Sequence, residues 1–226
     1  SLALPTAHQA SLQRLIDSVA DYCDARSLTP ERLREVRRHY YAGVTMLDAQ
    51  IGRVLAALKK RTDADSTLVV YTSDHGELLG EHGLFTKPLF YDATTQVPLI
   101  ITPPGGSSRR DYEPLVELTD LTATLLDIAD APPIPDSPGT SLRPTLDGGT
   151  TPVREVVRSE CEGFGMWRTK THKIVVDEAT QTPVQLFDIL NDPDELNDHV
   201  DDPASADLLQ TLMAEVVVPS LDRRGD

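Results

Sequence analysis

Six side chains able to ligate a metal, move a proton or meet an anion lie in the run VVYTSDHGELLGEHGLFTK, Val69 to Lys87. They are Asp74, His75, His82 and Lys87, with Glu77 and Glu81 among them. The residues just before, in STLVVYTS, are a short β-branched run that reads as a buried strand, so Ser73, Asp74 and His75 fall at its carboxyl end. In open α/β sheets ligands bind in the crevice outside that end. Adjacent residues of an extended strand point to opposite faces, so Asp74 and His75 share a ligand only if the chain turns there, which Gly76 permits. A carboxylate and a neutral imidazole suit a divalent cation, with the remaining ligands drawn from elsewhere. Lys87, thirteen residues beyond Asp74 and across a glycine-rich loop, can return an ammonium to the same crevice and neutralise an anionic substrate oxygen.

Plainer readings stand beside these. A Ser-Asp-His-Gly turn also serves simply to tie a loop, because Ser and Asp hydrogen-bond their own backbone. A lysine standing alone is most often a solvated charge, and a loop imidazole such as His82 is most often satisfied by a backbone carbonyl. The spacing of His75 and His82 is not the H-E-x-x-H of zinc hydrolases, and two glycines interrupt the helix that motif requires. Glu77 and Glu81 are assigned to loop structure.

The elements that must position these residues are legible on either side. TPERLREVRRHYYAGVTMLDAQIGRVLAALKKR offers Thr29 as N-cap and Pro30 at the first helical position. Leu33, Val36, Tyr40, Val44, Leu47, Ile51, Val54 and Leu58 then follow at steps of three and four, which predicts a long amphipathic helix. A shorter helix is expected around LQRLIDSVADYC. VPLIIT, Val97 to Thr102, predicts a second buried strand closed by Pro103-Pro104-Gly105-Gly106, and LTDLTATLLDIAD returns to helical spacing. The order implies an α/β layered sheet with flanking helices over residues 1–130. Residues 131–152, rich in proline and glycine, read as a linker. In 153–226 the segments VREVVRSE, MWRTKTHKIVVDE and PVQLFDI predict strands of a small antiparallel sheet, since no intervening helix is long enough for a parallel crossover. ASADLLQTLMAEVV supplies a closing helix.

The bulk numbers exclude several classes. At 226 residues, 39% apolar and 25% charged, the chain can bury a proper core. A net charge of −15 disfavours a nucleic-acid backbone or an anionic membrane as the main partner. Cys23 and Cys161 lie far apart, with no metal-ligand spacing, and are expected to be ordinary buried thiols. No stretch reaches the ~20 apolar residues of a membrane span. The first residues lack the basic and apolar regions of a signal peptide, and the sequence assigns no compartment.

Taken together, YTSDHGELLGEHGLFTKPLFYDATTQVPLIITPPG resembles the second signature region of the sulfatase family, within the alkaline-phosphatase-like superfamily. The resemblance extends back through YYAGVTMLDAQIGRVLAALKK and forward through VELTDLTATLLDIADAPP to RTKTHKIVVDEATQTPVQLFDILNDPDELND, which is similar to the family's carboxyl-terminal subdomain. It implies an alkaline-phosphatase-like layered sheet followed by a small antiparallel subdomain, acting on a small anionic ester. Asp74 and His75 match the Asp and following His or Asn that ligate one divalent metal ion. Calcium comes first on family usage, with manganese, zinc or magnesium as the other choices; an imidazole ligand tilts the choice slightly towards manganese or zinc. Lys87 matches the lysine that contacts the ester's anionic oxygens, and His82 belongs to a GEHG that accompanies the motif. The Asp-His pair is similar to that of the phosphonate monoester hydrolases and of some sulfatases.

The family's formylglycine nucleophile arises from a C-x-P-S-R-like or S-x-P-S-R-like motif. Here Cys23 is followed by DAR and Cys161 by EGF, and no early strand carries paired aspartates. The expectation is therefore the carboxyl-terminal half of a sulfatase-like hydrolase, with formylglycine outside this chain and no turnover by this chain alone. Two other readings remain: a non-catalytic module, and a superfamily member with a Thr or Ser nucleophile. The strands at Val69–Tyr71 and Val97–Ile101 should be central in a larger sheet. Exposed apolar edges then imply self-association, or cover by the missing amino-terminal half.

Overall fold

The computed structural model describes residues 24–87, 89–106 and 110–222, with Gln13 and Ile16. Most of the short helix expected around residues 12–23, and Cys23, fall outside the described residues. Within the described residues the chain divides into two units. One is built of residues 24–87 with Ala93–Asp111, and the other of Gln13, Ile16 and Leu89–Asp92 with the residues from Tyr112 onward.

The first unit starts with helix α1, Pro30–Leu58, entered as its sequence requires: Thr29 is extended (ψ 156), its hydroxyl accepts the Arg32 N–H, and Pro30 takes the first helical position. Strand β1, Val69–Thr72, pairs antiparallel with β2, Leu99–Thr102, in the register Val69 opposite Thr102 and Thr72 opposite Leu99. The apolar periodicity of α1 is real, yet none of its residues is buried; Tyr41, Met46 and Val54 are 62%, 66% and 67% exposed. Tyr71 of β1 and Ile100 of β2 are 40% and 60% exposed. The two runs expected to be covered on both faces are thus only partly covered by the described residues.

The second unit contains helix α2, Leu118–Ile128, and four strands in the order of the chain: β3, Val157–Cys161; β4, Phe164–Arg168; β5, His172–Asp177; β6, Thr182–Asp188. Every neighbouring pair is antiparallel. MWRTKTHKIVVDE, which reads as one strand, is two, because the chain reverses at Thr169–Thr171, where the Thr169 N–H donates to the His172 carbonyl at 2.8 Å. Period-2 alternation sorts the sheet's two faces. Trp167, Ile174, Val176 and Leu186 pack with Leu212 and Val217 of the closing helical segment, which runs as helix α3, Ala206–Leu212, a π turn, Met213–Val217, and a last turn, Val218–Asp222.

On the other face lies the segment Leu89–Asp92. The Tyr91 and Phe187 rings are 5.8 Å apart, and Lys173, fully buried in β5, donates to the Phe90 carbonyl at 2.7 Å. The Lys173 ammonium also sits 2.6 Å from Asp92 and 2.6 Å from Glu195, while Arg168 holds the other Asp92 oxygen at 3.0 Å. Residues 131–152, read as a linker from their prolines and glycines, hydrogen-bond to α2. Thr140 N–H donates to Asp120 at 2.7 Å and Leu142 N–H to the Thr124 hydroxyl at 2.8 Å. Asp120, fully buried, further pairs with Arg154 and accepts the Glu117 N–H at 2.8 Å. Cys161 is a free, half-buried thiol. Among the described residues no helix is long and apolar enough to cross a membrane.

Candidate functional site

The end of β1 does turn at Gly76, as the residue types require. The Gly76 N–H donates to the Thr94 carbonyl at 2.8 Å and the Glu77 N–H to the Ala93 carbonyl at 3.0 Å. A β-carbon at Gly76 would stand 2.0 Å from the Ala93 oxygen, so only glycine fits this crossing. The turn brings Asp74 and His75 to the same side: Asp74 Oδ2 is 3.5 Å from His75 Nε2, and Asp74 Oδ1 accepts the His75 N–H at 3.0 Å. The Ser73 hydroxyl donates to the His75 carbonyl at 2.9 Å, a contact that sequence reading left unassigned.

Lys87 closes the group. Its Nζ meets His75 Nε2 in a short contact. His75 Nδ1 is 2.8 Å from the Gly76 carbonyl, which can only accept, so Nδ1 donates there and Nε2 is the ring nitrogen turned towards Lys87 and Asp74. The ring is thus oriented by the kind of backbone contact that orients metal-bound imidazoles. Asp74 is largely exposed, with its side chain 83% accessible. Partial desolvation works against its charge, but His75, backbone N–H groups and Lys87 outweigh this and hold the carboxyl below its ordinary range.

His82 is carried elsewhere in the loop, in the short turn Glu81–Gly83, with left-handed backbone (φ 51) and a half-buried side chain. Asp74 and Lys87 therefore come together through the contacts each makes with His75, while His82 is placed by a separate turn. Among the described residues no group of three or more His, Cys, Asp or Glu side chains could hold a metal ion. Asp74 and His75 fit two positions of a divalent-cation shell, which takes four ligands for zinc and six or more for calcium.

Comparison with known proteins follows this geometry. The model of the Sulfatase family matches residues 2–131, and that described as N-sulphoglucosamine sulphohydrolase, C-terminal, matches residues 80–220. Arylsulfatase K of Gallus gallus is 30% identical, over 96% of this chain and 44% of its own length. Choline-sulfatase of Rhizobium meliloti (strain 1021) is 33% identical, over 80% of this chain and 36% of its own. Among solved structures, the phosphonate monoester hydrolase from Silicibacter pomeroyi superposes with a TM-score of 0.83 and 28% identity, over 97% of this chain and 49% of its own. The chain thus spans less than half the length of the curated relatives it matches here.

Proposed function

This chain belongs to the sulfatase family, and from that premise we propose that it forms one wall of an anionic-ester hydrolase site within a longer protein. The observation that carries the reading is the meeting of Asp74, His75 and Lys87 at the carboxyl end of β1. Asp74, ionised, and His75, through the same Nε2 that Lys87 meets, would hold one divalent cation, calcium first on family usage, with manganese, zinc or magnesium as the others. When bound, that cation supplies positive charge to polarise the ester's sulfuryl or phosphoryl group. Lys87 would donate its ammonium protons to the ester's anionic oxygens and stabilise charge there as the ester cleaves. His82 is a second candidate for that wall. The nucleophile, a formylglycine on family usage, would come from outside these residues.

Metal analysis and turnover of a sulfate ester by the longer protein test this assignment. Asp74→Ala is expected to lose both metal and activity, and Lys87→Ala to retain metal while turning over anionic esters poorly. Wild-type metal content in the purified Asp74→Ala protein refutes the ligand assignment. The superposition on a phosphonate monoester hydrolase favours a second reading, in which phosphate or phosphonate esters are taken by the same wall. Comparing kcat/KM for matched sulfate and phosphonate esters decides between them. Exposed apolar residues on α1, with Tyr71 and Ile100, support cover of this surface by the rest of a longer protein or by a second copy. The chain alone is expected to dimerise or aggregate, and a monodisperse monomer in light scattering would refute that.

A further inference from the structure

Thr86, immediately before Lys87, has φ 70. A β-branched residue in left-handed backbone is a genuine outlier, costing about 1–3 kcal/mol, and persists only where its surroundings over-determine it. The chief determinant is Glu77. Its Oε1 accepts the Thr86 N–H at 2.6 Å and also the Leu79 N–H at 3.2 Å, and Leu79 is itself left-handed (φ 49). The Thr86 carbonyl in turn accepts the Leu78 N–H at 3.1 Å, and Leu78 is fully buried.

Glu77 is fixed at its own root as well, two residues from His75, by its N–H bond to the Ala93 carbonyl. The loop it spans is braced from outside: Arg37 of α1 donates to the Leu79 carbonyl at 2.8 Å, and the Ala25 N–H donates to the Gly83 carbonyl at 2.9 Å. One carboxylate oxygen thus ties two strained residues of the loop back to the turn that carries His75. Lys87 is exposed, so nothing in burial holds its long side chain; its placement depends on where its backbone is set.

We infer that Glu77 is a positioning residue: by holding Thr86 in left-handed backbone it sets the Lys87 ammonium against His75 Nε2. The placement stands on geometry alone, whereas its consequence for ester turnover rests on the reading of Lys87 proposed above. With Oε1 engaged by two N–H groups, Glu77 acts as a strut, and among the described residues it completes no group of three possible metal ligands.

The test is carbethoxylation of the full chain by diethyl pyrocarbonate, read residue by residue by mass spectrometry far below the melting temperature. Lys59, Lys60 and His39, all exposed, serve as internal references. Lys87 shields His75 Nε2, so Glu77→Ala is expected to raise His75 labelling by about two- to tenfold, the weight of one net hydrogen bond, with the references unchanged. Glu77→Gln keeps an acceptor oxygen and is expected to stay near wild type. If Glu77→Ala does not fold, the comparison moves to Glu77→Ala with Thr86→Gly, because glycine adopts φ 70 without strain. A melting temperature lowered by Glu77→Ala with His75 and Lys87 labelling unchanged overturns the inference, since that is what a merely structural role predicts. The labelling needs no substrate, so it is decided independently of hydrolysis. Full turnover by Lys87→Ala in the longer protein would instead overturn the proposed role of Lys87 and leave the Glu77 placement standing.

Discussion

Lys173→Met puts a fully buried charge of the second unit to the test. The ammonium is fully buried between Asp92 and Glu195, 2.6 Å from each, and donates to the Phe90 carbonyl at 2.7 Å. Methionine keeps most of the stem's volume, so the cavity contribution is small and the measured change is electrostatic. Asp92 retains Arg168 at 3.0 Å. Glu195, 3% exposed, keeps only the Asp92 N–H at 2.6 Å among its described partners and becomes a buried carboxylate without a cation. Removing one partner of a buried pair costs about 3–5 kcal/mol, and at about 2–4 °C per kcal/mol for a chain of this size the melting temperature should fall by roughly 6–20 °C. The sole tryptophan, Trp167, is 1% exposed in the same sheet, so its fluorescence in urea reports this unit. The pH dependence has a defined sign. Burial pushes the Glu195 carboxyl above its ordinary range, against the pull of Lys173. The stability this group contributes is therefore complete below the ordinary glutamate value and is lost as pH rises through the elevated one. Without Lys173 the elevation grows, so the deficit of Lys173→Met should be large at pH 7 and shrink towards pH 4. Lys173→Met with Glu195→Gln should recover part of it. A loss below about 1 kcal/mol at pH 7, the range of an exposed pair, or a deficit equal at both pH values, refutes the reasoning.

Gly76→Ala should lower the melting temperature by the equivalent of about 1–3 kcal/mol, the usual cost of overpacking, because its β-carbon would meet the Ala93 oxygen at 2.0 Å; an unchanged melt refutes it. Asp120→Asn keeps shape but leaves Arg154 beside a neutral amide, and a cost of about 2–4 kcal/mol is expected in urea unfolding; a change within 0.5 kcal/mol, about that of an ordinary surface substitution, would mean that the ion pair contributes nothing. For Asp74 the carboxyl is depressed, so its contribution is present above the ordinary aspartate range and lost as pH falls through the lowered value. Wild type and Asp74→Asn should therefore converge in stability at acid pH, and a difference that persists there refutes the assignment.

How far the sequence could be read depended on whether a residue's state was set locally. Helix α1 was legible because Thr29, Pro30 and the three-four spacing are local signals, and the antiparallel sheet because the connections between its segments are too short for a parallel crossover. The reversal at Thr169–Thr171 was missed, having neither glycine nor proline to mark it. At the site, the residue types picked out Asp74, His75 and Lys87, and Gly76 announced the turn. What could not be read was the strut. Glu77 looks like any loop glutamate, and a threonine carries no sign that it will be held at φ 70, because that conformation is imposed by a partner nine residues away.

Lys87 and Lys173 show why charge in such a chain must be judged by surroundings rather than by type. Both are lysines followed by apolar residues, and Lys173 sits in a strand whose neighbours Ile174, Val175 and Val176 are buried. Lys173 has two carboxylates and a carbonyl for its ammonium, so its charge is spent on holding Leu89–Asp92 to the sheet and none is left for a ligand. Lys87 is exposed, and its ammonium meets His75 Nε2 rather than a carboxylate. An exposed cation held near a depressed carboxylate is the arrangement an anionic ester and a divalent metal would each find useful. It is stable without them only because the backbone beneath it is tied down.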